Sequence, residues 1–137
     1  MQYLLVAAVL PIYLLCLFVY KKDPHHEPFK LLAKIFIFGF ISAIPILFFE
    51  VLLGIVFPTD DISNFILIFI NVFISVALVE EGFKWLVTLF FGYKNKEFDE
   101  IYDIIVYSVF ASLGFACIEN IIYVFINGIG NAILRAL

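Results

Sequence analysis

Four apolar runs alternate along the chain with three short polar segments. The runs cover residues 2–20, 31–57, 64–91 and 102–127. A helix needs ~20 mostly apolar residues to cross the hydrocarbon core of a bilayer, and each run meets that length. The pattern predicts an all-α membrane protein, a polytopic bundle of about four transmembrane helices in a single domain over residues 1–137. Pro11 and Pro45 fall inside runs, where kinks are expected and membrane helices tolerate them. No internal repeat or low-complexity tract interrupts the series.

Composition strengthens this reading. The chain is 65% hydrophobic and 15% charged, with a mean hydropathy of +1.14. A soluble domain is near half apolar and a quarter charged, and 137 residues could not hide this much oil around one core. A lipid bilayer is the solvent that suits it. Net charge is −4 and there is no long basic run, so nucleic acid is excluded as a partner. Cys16 and Cys117 lie in apolar runs without metal-ligand spacing and are expected to be free packing residues. The first run lacks a basic leader and an A-x-A site, and is expected to stay as a membrane helix.

The polar segments set an expected topology. Lys21, Lys22, Lys30 and Lys34 mark the first loop region, and Lys94 and Lys96 the third. The second loop holds Asp60 and Asp61 and no basic residue. Basic loops stay cytoplasmic, so residues 21–34 and 92–100 are expected inside and the N-terminus outside.

One stretch breaks the rule of oil. "VALVEEGFKWLV" places Glu80, Glu81 and Lys84 near the middle of the third run. Each buried charge costs roughly 2.5–3.5 kcal/mol on insertion, and each Leu, Ile, Phe or Val returns roughly 0.3–0.6 kcal/mol. Eighteen such residues in this run make insertion barely feasible. Glu80 and Glu81 precede Lys84 by four and three residues, so both can reach its ammonium. An ion pair that steers helix packing would use one Glu and leave the second unexplained. Two adjacent carboxylates in a dry place suit a metal, a shared proton or an activated water. Adjacent helical residues point about 100° apart, so sequence leaves open which Glu faces a cavity.

The fourth run adds "FASLGFACIENIIYVF". Glu119 and Asn120 sit deep in it, with Phe115 and Tyr123 one turn to either side of Glu119. Ala111, Ser112, Gly114 and Ala116 precede it, small residues of the kind that let membrane helices approach closely. A short loop joins the third and fourth runs, which predicts antiparallel neighbours. With straight helices Glu80 and Glu119 would differ in height by about 9 Å.

Together, "EEGFK" and "GFACIEN" resemble the EExxK and FxxxEN motifs of the PrsW family of intramembrane proteases, distantly similar to the CAAX and ABI membrane proteases. "HEPFKLL" resembles the family's entry to its second helix, and the similarity runs from about residue 23 to 135. The resemblance implies a membrane-embedded metalloprotease of the bacterial cell membrane. Its expected action is the first cut in a membrane-anchored anti-sigma factor, which starts sigma-factor release. It implies catalytic roles for Glu80, Glu81 and Lys84, with Glu119 and Asn120 in the second motif. A further family acid corresponds to Asp103 in "DIIVYS", where Ile104 and Ser108 replace the usual glycines.

The expected mechanism has Glu80 or Glu81 as general base on a water. Glu119, with the family's histidine and with Asp103 as a further candidate, would hold a divalent metal, zinc by default, and Asn120 would support substrate or oxyanion. The family's functional histidine belongs to a later helix, so this chain alone is expected to be inactive. His25 and His26 are expected to be solvated rather than metal ligands. The rival expectation is a non-enzymatic membrane protein that uses the Glu/Lys cluster for proton or ion relay or for helix assembly. Sequence leaves the oligomeric state open.

Overall fold

Proline punctuates the first two helices of the computed structural model, which describes residues 2–56 and 65–136. Helix α1 (Gln2–Lys22) stops at Asp23, just before Pro24, because a residue preceding proline is pushed out of the helical region. The Asp23 carboxylate then accepts the backbone N–H groups of His25 and Glu27, a turn that supplies partners the helix no longer provides. Helix α2 (Phe29–Val56) starts directly after Pro28, whose carbonyl accepts from Leu31 and Leu32. The second loop, with Asp60 and Asp61, lies outside the described residues.

The third apolar run is helical from 65 to 93 but irregular. It comprises α3 (Phe65–Ile70), a π-helical stretch (Asn71–Leu78), α4 (Val79–Val87) and a second π-helical stretch (Thr88–Tyr93). Helix α5 (Ile101–Ala136) follows. Among the described residues there is no strand.

Helix α5 is the hub. It packs chiefly against α2 and α1, and α4 packs on both α2 and α5. Glycine makes the α2–α5 crossing possible. A methyl group placed on Gly39 would overlap the Ala111 carbonyl, and one placed on Gly114 would overlap the Phe36 carbonyl. The two backbones therefore touch, as small residues permit in membrane helix pairs. The small residues Ala111 and Gly114 thus meet α2. On either side of the crossing lie two apolar clusters, one around Leu32, Ile35, Val106 and Tyr107 and one around Ala43, Ile46 and Phe115.

The outer surface remains oily. Ile44, Phe48, Ile55, Trp85 and Ile126 are all well exposed, far more apolar patch than a water-soluble monomer carries. Helix α2 and residues 101–126 are long and apolar enough to cross a membrane. The polar ends of α1 and α5 meet. His25 Nδ1 lies 2.8 Å from Glu100 Oε1, so the first and third loops sit side by side.

Candidate functional site

Helix α4 carries the charged stretch between its two π-helical flanks. Such i→i+5 turns are uncommon and concentrate at functional sites. Lys84 Nζ lies 3.2 Å from Glu80 Oε2 and 2.8 Å from Glu81 Oε1, so a single ammonium serves two carboxylates. The two glutamates differ in environment. The Glu80 side chain is 18% exposed and that of Lys84 14%, against 72% for Glu81. One acid points into the protein and the other outward.

The second motif completes the enclosure. Lys84 Nζ lies 4.6 Å from the centroid of the Phe115 ring, a cation–π contact that strengthens when desolvated. The phenylalanine of one motif thus caps the lysine of the other, and α4 and α5 are joined at that point. Phe115 itself is buried against Ala43 and Ile46 of α2, with Phe83 alongside.

Two cavities flank this junction. One, of about 210 Å³, is lined by Glu81, Lys84, Trp85, Thr88, Ser108 and Ser112. The Ser108 hydroxyl donates to the Ile104 carbonyl and that of Thr88 to the Lys84 carbonyl, so both leave oxygen lone pairs available. The other, of about 160 Å³, opens between α2 and α5, where Glu119, Tyr123 and Glu50 line it. The Glu50 carboxyl lies within electrostatic reach of those of Glu80 and Glu119.

Glu50 is the residue that sequence reading missed. It is the one charged residue between 35 and 56, and an ionisable side chain in such a span is a functional candidate by default. That isolation was the available signal.

Asn120 does not turn toward Lys84 among the bonds observed. Its amide Nδ2 donates to the Ala8 carbonyl of α1 at 3.4 Å, near the limit of a hydrogen bond. Asp103 stands apart from the α4 cluster, 16 positions before Glu119 and so about 24 Å away along α5. There it joins Glu27 and Asp99, with one oxygen of each within 4.8 Å of the others. Asp103 Oδ2 accepts the backbone N–H groups of Asp99 and Glu100, and the Tyr107 hydroxyl donates to Glu27 Oε2 at 2.7 Å. Burial pushes the Glu27 carboxyl above its ordinary range; the Tyr107 bond opposes this, while Asp103 and Asp23 add to it. His25 is paired with Glu100, and the His26 ring meets Tyr20 edge-on.

Two places therefore offer metal-binding chemistry. The Glu27–Asp99–Asp103 group could hold a cation, and its all-oxygen donor set suits a hard cation better than zinc. The other is where Glu80 and Glu81 of α4 share Lys84, with Glu50 of α2 in electrostatic reach of Glu80 and of Glu119 of α5. Among the described residues, no three potential ligands converge there.

Comparison with known proteins follows the same residues. The family model described as "PrsW family intramembrane metalloprotease" matches residues 27–137. Protease PrsW of Oceanobacillus iheyensis is 43% identical over 133 residues, 97% of this chain and 59% of that protein. Protease PrsW of Geobacillus kaustophilus is 42% identical, over 98% of this chain and 57% of its own length. That of Clostridioides difficile is 37% identical over 89% and 50%. The chain thus spans between half and three-fifths of the length of these curated relatives. No solved structure matches it. With the family model covering all but the first helix and both acidic motifs in contact, the chain belongs to the PrsW family of membrane proteases.

Proposed function

We propose that the Glu80–Glu81–Lys84 cluster, closed by Phe115 and Glu119, is the hydrolytic centre of a protease that cuts within or beside the membrane. One observation carries the reading: Lys84 binds both carboxylates of its own motif while sitting on the aromatic ring of the other. A helix-steering ion pair requires neither the second carboxylate nor the cavity beside it.

Glu81 is the better placed base. It opens on the 210 Å³ cavity with Ser108, Ser112 and Thr88, where a water and a substrate carbonyl can be received. A carboxylate within hydrogen-bond reach of a water takes its proton as the water attacks. Glu80, more enclosed, holds Lys84 in place, and Lys84 in turn fixes the Glu81 side chain through its 2.8 Å contact. After attack, Glu81 returns the proton to the leaving amine. Asn120 lies one residue beyond Glu119, and its role would be to orient the substrate backbone or support the oxyanion.

A divalent metal, zinc by default where His and Glu ligate together, would be held by Glu119 with an α4 carboxylate and would supply Lewis acidity and a more acidic water. The family resemblance implies a histidine elsewhere in the full protein to complete that shell. The substrate is a membrane-anchored protein of the anti-sigma-factor kind, and the first cut releases a sigma factor for a cell-envelope stress response. The chain would cross the bacterial cell membrane four times, with the loops at 21–34 and 92–100 in the cytoplasm.

Co-expression of the full-length protein with an anti-sigma substrate tests the assignment. Glu81→Gln and Glu80→Gln are expected to abolish cleavage while the protein still reaches the membrane. Undiminished cleavage by both variants would overturn it.

A further inference from the structure

A cavity of about 550 Å³ shares no lining residue with the charged cluster. It is a groove between α1 and α2. Tyr13, Leu17 and Tyr20 form one wall, Ala33 and Ile37 the other, and Phe110 of α5 the floor. Its volume is within the roughly 300–1,000 Å³ of ligand-sized pockets, and its lining is almost wholly apolar.

Charge at one end of the groove is sorted by the fold. The first loop contains two acids and both are buried: Asp23 is 2% exposed and Glu27 4%. Asp23 is consumed by the backbone N–H groups of His25 and Glu27, and Glu27 turns away to meet Tyr107. The basic residues beside them, Lys21, Lys22 and Lys30, are exposed. Lys21 lies one turn beyond Leu17, and Lys30 one turn before Ala33, so both extend the two walls of the groove. His26 packs edge-on against Tyr20 at the same end, with ring centroids 4.8 Å apart. An apolar slot with a cationic rim is the outcome.

We infer that this groove binds an anionic phospholipid, with an acyl chain along Tyr13, Leu17 and Ile37 and the phosphate between Lys21 and Lys30. Charge complementarity selects the occupant. A zwitterionic lipid would fill the same apolar slot but gain nothing from the lysines, whereas an anionic headgroup near a membrane surface is attracted by each of them. A basic pocket between membrane helices is the chemistry by which anionic headgroups are retained. The surrounding aromatics, Tyr13, Tyr20 and the exposed Phe29, suit the boundary between headgroup and hydrocarbon.

Native mass spectrometry of the purified protein, offered phosphatidylglycerol and phosphatidylcholine in equal amounts, tests the inference. The unaltered chain is expected to retain phosphatidylglycerol at least about tenfold more than phosphatidylcholine. The double variant Lys21→Gln/Lys30→Gln changes only exposed side chains and should bring the two lipids close to parity. Ala33→Trp, which fills the slot, should reduce retention of both. Equal retention by the unaltered chain would overturn the inference, as would a preference that survives the lysine double variant. The same measurement on the full-length protein has a third outcome: loss of the bound lipid there means that a further part of the protein covers the groove, and that too overturns it.

Discussion

Helix α5 holds an acidic group at each of two levels, and their differences separate structure from chemistry. Near its start, Asp103, Glu27 and Asp99 converge, and the buried acids are provided for. Asp103 takes two backbone N–H groups, and Glu27 takes the Tyr107 hydroxyl. This is the pattern of a junction that ties the first and third loops to the helix, since a buried carboxylate with several donors is held at little cost. Farther along, Glu119 lines a cavity with Glu50, whose carboxyl is within electrostatic reach of Glu80, and Lys84 serves both Glu80 and Glu81. Within α4 alone, two carboxylates meet one ammonium. Satisfied carboxylates hold a fold together, and a surplus of them in oil requires a proton, a metal or a substrate.

The sharpest way to break this contrast is to neutralise one acid at each level. In the full-length protein, Glu81→Gln should lower the cleavage rate by about 100-fold or more, the usual worth of a general base. Single-turnover cleavage of a membrane-bound substrate measures it. Retained rate in that variant would reduce the α4 cluster to packing.

Next in size is the crossing that holds both levels in register. Gly114→Leu would drive a side chain into the Phe36 carbonyl, a backbone atom with nowhere to move. The expected loss is at least about 1–3 kcal/mol, read as a lower unfolding midpoint in detergent. Gly54 has open space around it, so Gly54→Ala should leave the midpoint nearly unchanged and serves as the control.

At the loop end, Tyr107→Phe leaves Glu27 buried without its donor. A loss of about 1–3 kcal/mol is expected, with no change in cleavage per folded molecule. A fall in that turnover would merge the two levels into one functional unit.

The smallest effect concerns protons. The Glu27 carboxyl in the folded protein stands above its ordinary value of 4.5 because of burial. The folded state therefore holds this proton more tightly than the unfolded chain. The resulting stabilisation is complete below about pH 4.5 and is lost as pH rises through the folded value. Glu27→Gln cannot lose a proton, so its unfolding midpoint should decline less between pH 4.5 and neutrality. Parallel curves for the two proteins would show that Glu27 does not titrate in that range.

Much of this arrangement was legible before any coordinates. Apolar run length marks both ends of α1 and α2, and the start of α5, to within about two residues. The pairing of Glu80 and Glu81 with Lys84 follows from helical spacing alone, and both contacts are present. What spacing could not show is the irregular backbone around α4. The apolar run from 64 to 91 predicts a helix, and the π-helical turns on both sides of α4 depend on packing that periodicity does not encode.

The partner of Gly114 was equally hidden. Small residues announce a close approach but not to which helix, and the answer, the Phe36 backbone of α2, lies 78 residues away in sequence. Asp103 is a further case. The resemblance marks it as a metal candidate, and the fold gathers it with Glu27 and Asp99 into an acidic group that could hold a cation, far along α5 from Glu119. The different settings of Glu80 and Glu81 also needed three dimensions, because only packing turns one inward and leaves the other on a cavity.

The most direct test sets the two levels against each other in one assay. Full-length protein carrying Glu81→Gln, Glu27→Gln or neither is reconstituted in vesicles with a membrane-anchored substrate, and initial cleavage rates are compared at equal folded amounts. The account predicts that Glu27→Gln cleaves at the unaltered rate within about twofold, while Glu81→Gln falls by about 100-fold or more. Equal rates for all three, or loss confined to Glu27→Gln, would contradict it.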